Sequence, residues 1–113
     1  MKEIKAIIQP YMVSKVVRAL HAIDHFPGFT LTDARGQGRG RGAGGSYKVT
    51  EDDIDYHRKV VLVVACSDEV AATVTETIRN AAYTGNKGDG IILVGELTKV
   101  IRIHTGETQD KAV

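Results

Sequence analysis

A single cysteine among 113 residues, Cys66, excludes an internal disulfide and fits a reducing compartment. An excess of charge of one sign is lacking too. The 15 basic and 14 acidic residues leave a net charge of +1, so no global field draws the chain to nucleic acid or to an anionic membrane. Any attraction for anions must be local. Long apolar runs are missing as well, and nothing approaches the roughly 20 apolar residues that a spanning helix needs. The first apolar run, Ile4 to Ile8, is interrupted by Lys5 and stopped at Pro10, so no secretory signal is expected. No GxxxxGK[ST] occurs, which excludes a P-loop. What remains is the expectation of a soluble, cytoplasmic chain, with residues 1–113 folding as one domain around a single core.

Glycine is what the chain has in excess. Arg35 to Gly45 reads RGQGRGRGAGG, between an alternating apolar run and a second strand-like run. Without a Cβ, and with positive φ open to it, such a backbone can bring several N–H groups close to phosphate oxygens. Arg35, Arg39 and Arg41 add charge of the matching sign. The stretch can be read as a nucleotide-handling loop, a flexible partner-binding arm or a linker. Its one formal GxGxxG match, Gly40, Gly42 and Gly45, is not followed by a helical pattern, so the dinucleotide reading fails its own context.

Around this stretch the periodicity predicts a regular order of elements. Lys2 to Gln9 reads as a strand ending at Pro10. Val13, Val16, Val17, Leu20 and Ile23 fall at helical spacing, with Lys15, Arg18 and His21 on the other side, up to the Pro27–Gly28 punctuation. Phe29 to Ala34 alternates as a second strand, and residues 37 to 58 carry no sustained period. Lys59 to Cys66, KVVLVVAC, is the strongest strand signal and suits the centre of a sheet. Ser67 or Asp68 can cap a second helix, which runs to about Tyr83 with Val70, Val74 and Ile78 at four-residue steps. TGNKGDG, Thr84 to Gly90, is a tight turn before the apolar run Ile91 to Val94. Gly95 and Glu96 look like a hairpin turn into a short extra strand, Leu97 to Ile103. The order is the βαββαβ pattern of an α+β, ferredoxin-like sandwich with a long loop between its second and third strands and both helices on one sheet face. Covering the other face calls for another subunit, so an oligomer is expected.

Few constellations here could carry chemistry. TGNKGDG can be a plain connection or an anion-cradling nest, and Lys59, Lys87 and Arg102 lie at strand ends or loops that the fold could gather around it. The histidines, His21, His25, His57 and His104, lack the close pairing of a metal site. Cys66 reads as a small core residue. No nucleophile, base and orienting group assemble, so no enzyme activity is predicted.

The opening KAIIQPYMVSKVVRAL, the central TDARGQGRG, the turn TGNKGDG and the ending VIRIHTGETQDKAV resemble, in order and spacing over essentially the whole chain, the PII nitrogen-regulatory signal proteins. The resemblance implies a trimer of ferredoxin-like subunits that binds ATP or ADP, with Mg2+ possible beside ATP, in clefts between neighbours. It also implies a flexible loop, about residues 37–58, that docks on a target protein such as a membrane transporter or a metabolic enzyme, without insertion into the membrane. Carried over by position, Ile8, Thr30, Gly36 and Ala65 would line the adenosine site. Gly38, Arg39, Lys59, Gly88, Asp89, Gly90 and Arg102 would surround ribose and phosphates, with Lys87 and His104 as further candidates. The chain departs from the family pattern in four places. Ile91 replaces a phosphate-contacting lysine, His104 an arginine, Gly40 a glutamine used for magnesium and 2-oxoglutarate, and Asp52 a tyrosine that some bacteria uridylylate. These departures make the chain a divergent PII-like member and argue against 2-oxoglutarate sensing and uridylylation. The alternative is a single-stranded nucleic-acid module using the arginine–glycine stretch, which the acids Glu51, Asp52, Asp53 and Asp55 oppose.

Overall fold

The computed structural model describes residues 1–38 and 56–113. Arg39 and most of the expected loop therefore lie outside the described residues, as do Gly40, Arg41 and Asp52. Four strands, β1 (Lys2–Ile8), β2 (Thr30–Gly36), β3 (His57–Cys66) and β4 (Gly90–Glu96), alternate with two helices, α1 (Val13–His21) and α2 (Asp68–Ala82). The strands form one antiparallel sheet in the order β2-β3-β1-β4, the order expected of a ferredoxin-like sandwich.

Alternation along the strands decides which face is covered. In β1 the buried residues are Ile4, Ala6 and Ile8, and in β3 they are Val60, Leu62, Val64 and Cys66. The register sets Ile4 opposite Val64 and Ala6 opposite Leu62, so these side chains share one face. Val16 and Leu20 of α1, with Ala71, Val74 and Ile78 of α2, close over them to make the core. Each large aliphatic side chain buried this way contributes about 1.5–3 kcal/mol. The opposite face carries Glu3, Lys5 and Ile7 of β1, Thr30 and Thr32 of β2, Val61, Val63 and Ala65 of β3, and Ile91 and Leu93 of β4. Both helices lie on the other side, so Ile91 stays 55 % and Leu93 46 % exposed.

Several boundaries differ from the sequence expectation. The first helix is preceded by a 3-10 turn, Pro10–Met12, in which the proline ring presets φ, and the helix stops at His21, before Pro27. His57 and Arg58 belong to β3 rather than to the loop. Ser67 stands at the N-cap of α2 with extended backbone but makes no side-chain cap bond. Asp68 does not cap either, because its carboxylate accepts a bond from the Met1 ammonium at 3.0 Å. The expected hairpin at Gly95–Glu96 does not form. The strand runs on along β1, Glu96 opposite Lys2, and the Leu97 N–H donates to the Met1 carbonyl at 2.9 Å. Of the expected extra strand only an isolated bridge exists, Ile101 to Thr108, followed by a 3-10 turn at Gln109–Ala112.

Candidate functional site

The turn between α2 and β4 is held by one carboxylate. Asp89 accepts the Thr84 N–H at 2.8 Å, the Gly85 N–H at 3.3 Å and the Thr84 hydroxyl. The same hydroxyl accepts the Asn86 N–H at 3.1 Å. Hydrogen bonds to the ionised form hold the Asp89 carboxyl below the usual carboxylate range, the Thr84 side chain first and then the Thr84 backbone, with the nearby Lys59 charge a smaller contribution. Three glycines permit the path, Gly85, Gly88 and Gly90, all at positive φ. At Gly90 no other residue fits, because a Cβ would stand 3.0 Å from the Ile7 carbonyl carbon and closer still to its oxygen.

Two side chains from neighbouring strand ends reach this turn. The Gly88 carbonyl accepts from Gln9 Nε2 at 2.6 Å and from Lys59 Nζ at 3.3 Å. With the carbonyl occupied on that side, the exposed backbone of Lys87 and Gly88 presents N–H groups that no hydrogen bond takes up among the described residues. Amides of this kind beside an ammonium suit an anion.

The structure thus brings Lys59, Lys87, Gly88, Asp89 and Gly90 together. Thr30, Gly36 and Ala65 lie on the sheet face away from the helices, and Gly38 is exposed just beyond β2. Ile8 is a correction. Its side chain points into the core and is 1 % exposed, so it lines no cleft, whereas its neighbour Ile7 faces the open side. Arg102 and His104 do not join the turn within one chain. The Arg102 guanidinium Nε donates to the Ala112 carbonyl at 2.7 Å, bracing the C-terminal turn, and His104 is exposed beside Ile103, itself 99 % exposed.

The residue reading missed Gln9 and Arg58. Gln9 carries no pattern of its own and matters only because β1 ends opposite the turn. Arg58 shows no strand period in the sequence, yet it belongs to β3 and with Pro10, Asp33, Ala34, Arg35 and Lys59 lines a cleft of about 360 Å³ at the ends of β2 and β3.

The nitrogen regulatory protein P-II family model matches residues 1–107. A nitrogen regulatory protein P-II of Rhizobium meliloti is 45 % identical over 108 residues, covering 96 % of each chain. The nitrogen regulatory protein GlnK of Escherichia coli is 39 % identical over the full length of both chains. Among solved structures, Arabidopsis thaliana PII bound to citrate superimposes with a TM-score of 0.79 at 31 % identity, covering 98 % of this chain and 87 % of that one. Nothing in these names points to nucleic acid, and the alternative reading of the arginine–glycine stretch has no support. The chain belongs to the nitrogen regulatory protein P-II family, as a regulatory signal transducer and not an enzyme.

Proposed function

We propose that this protein is a homotrimeric regulator that binds ATP or ADP between subunits and acts on a target protein through the segment joining β2 to β3. What carries the reading is the Thr84–Gly90 turn, which Asp89 fixes through the Thr84 and Gly85 amides, leaving the Lys87 and Gly88 N–H groups open with Lys59 beside them. A polyanion finds there both fixed dipoles and a cation. The open sheet face supports the trimer, since Ile7, Val61, Val63, Ile91 and Leu93 form an apolar surface that a second and third copy would cover. In such an assembly Arg102 and His104 of one subunit serve the turn of another, and Mg2+ accompanies ATP. The relative solved with citrate is a P-II protein holding a small polyanion.

The target is a cytoplasmic enzyme or the cytoplasmic side of a transporter, with no insertion of this chain. Among the described residues, no helix is long and apolar enough to cross a membrane. Calorimetry with ATP, ADP and AMP tests the nucleotide reading, and light scattering tests the trimer. Lys59→Ala should weaken nucleotide binding roughly tenfold or more, as expected for one charge-assisted contact. No heat from any of the three nucleotides at millimolar concentration would sink the proposal.

A further inference from the structure

The cleft at the ends of β2 and β3 holds a charge arrangement that folding alone does not favour. The strand register places Arg35 directly opposite Arg58. Both fall on the sheet face that carries Asp33 and Val60, beyond the reach of the helices, and both are exposed. Like charges directly opposite on paired strands are destabilising, with Cβ atoms only about 4.5–5.5 Å apart. Among the described residues, no ion pair offsets either arginine. Among the described residues of the cleft wall Asp33 is the one acid, against Arg35, Arg58 and Lys59, so positive charge is in excess there.

We propose that the Arg35–Arg58 pair is a second anion site, separate from the glycine turn, that takes a phosphate group. Two guanidinium forks carried at facing positions of adjacent strands can each give a tetrahedral oxyanion paired N–H bonds, which a lysine pair cannot do. The cleft of about 360 Å³ admits a phosphate together with a small organic remainder. Its walls come from both strands that flank the β2–β3 segment and from Pro10, where the chain leaves β1. The wall residue shared with the glycine turn is Lys59, whose Nζ is drawn toward the Gly88 carbonyl. An anion between the arginines removes the repulsion across the register, so its binding stabilises the fold.

Anion binding at the arginine pair is independent of nucleotide binding at the glycine turn. Thermal melts of the wild-type chain, Arg35→Gln and Arg58→Gln are recorded in chloride and then in inorganic phosphate at matched ionic strength and pH. Each variant should melt at or above wild type in chloride, because the repulsion is gone. In phosphate the order should reverse, since only wild type gains from the bound anion. Calorimetry should give a phosphate affinity that falls roughly 10–100-fold in either variant, with the double variant no weaker than the singles because one site is lost. Arg58→Lys, which keeps the charge but not the fork, should recover only part of the affinity, and it serves as the reading if a glutamine variant fails to fold. Glycerol 3-phosphate binding more tightly than inorganic phosphate identifies the ligand as a phosphorylated metabolite, and equal binding identifies free phosphate. The proposal is overturned if phosphate and chloride stabilise wild type equally, or if the variants keep wild-type phosphate affinity. An Asp89→Asn chain, altered in the glycine turn and not in the cleft wall, should keep wild-type phosphate affinity even where nucleotide is lost.

Discussion

Replacing Gly90 by alanine should be the most damaging single change in the glycine turn. Two costs add. A non-glycine residue at φ +119 carries backbone strain of about 1–3 kcal/mol. The new methyl group also meets the Ile7 carbonyl carbon at 3.0 Å and the Ile8 Cα at 3.3 Å, with the carbonyl oxygen nearer still, and all of these are backbone atoms that cannot swing aside. Relief requires the first residues of β4 to peel from β1, losing the rungs at Ile8–Gly90 and Ile7–Ile91, at about 0.5–1.5 kcal/mol per hydrogen bond. The total is about 2–6 kcal/mol, which lowers a urea midpoint by roughly 1 M or more at ordinary slopes. Gly88→Ala is the control, because its φ is also positive, +93, but the nearest atom is Gln9 Nε2 at 3.4 Å, on a side chain that can move. It should lose about 1–2 kcal/mol, the strain alone. Urea titrations of both variants at one protein concentration make the comparison, since an oligomer's stability depends on concentration. Equal midpoints for the two variants would refute the steric argument.

Other consequences are as direct. Because hydrogen bonds depress the Asp89 carboxyl in the folded chain, the support it gives the turn is complete above the ordinary carboxylate pKa of about 3.9 and is lost only as pH falls through the depressed folded value. Amide shifts of Gly85 and Lys87 followed by NMR should therefore titrate below pH ~3.9, and a midpoint at or above that value would contradict the bonding. Burial pushes the Cys66 thiol up, so alkylation of the folded chain at pH 8 should be far slower than in urea. Leu62→Ala, at the centre of the core on an inner strand, should cost about 2–5 kcal/mol by chemical denaturation without changing the sheet order.

The elements that were legible in the sequence are those whose signal is local. KVVLVVAC needs only its own β-branched residues to read as an inner strand, and Val13, Val16, Val17 and Leu20 need only a helical repeat. What escaped depends on partners far along the chain. Gly95–Glu96 has the composition of a turn, but β1 is long enough to pair with β4 through Glu96, and the ladder overrides the local preference. Asp68 looked like a cap until the Met1 ammonium took its carboxylate. Ile8 and Ile7 are indistinguishable as letters, and only the side of the sheet on which the helices settle sends one to the core and the other outward. Arg35 opposite Arg58 is a fact of register, and the two residues are separated by the whole of the segment that joins their strands. The glycine turn is legible as a turn from TGNKGDG itself, while the reason Gly90 must be glycine resides in a carbonyl of β1.

The last rung of the β2–β3 ladder, Gly36 opposite His57, sets what a change in the connecting segment costs. The described ladder ends at that rung, so a change of length between these two residues leaves every rung beneath it in place. Doubling the length of a connecting loop costs only about 0.6 kcal/mol. Lengthening or shortening the connection is therefore cheap for the sheet, the core and the glycine turn, which share no rung with it.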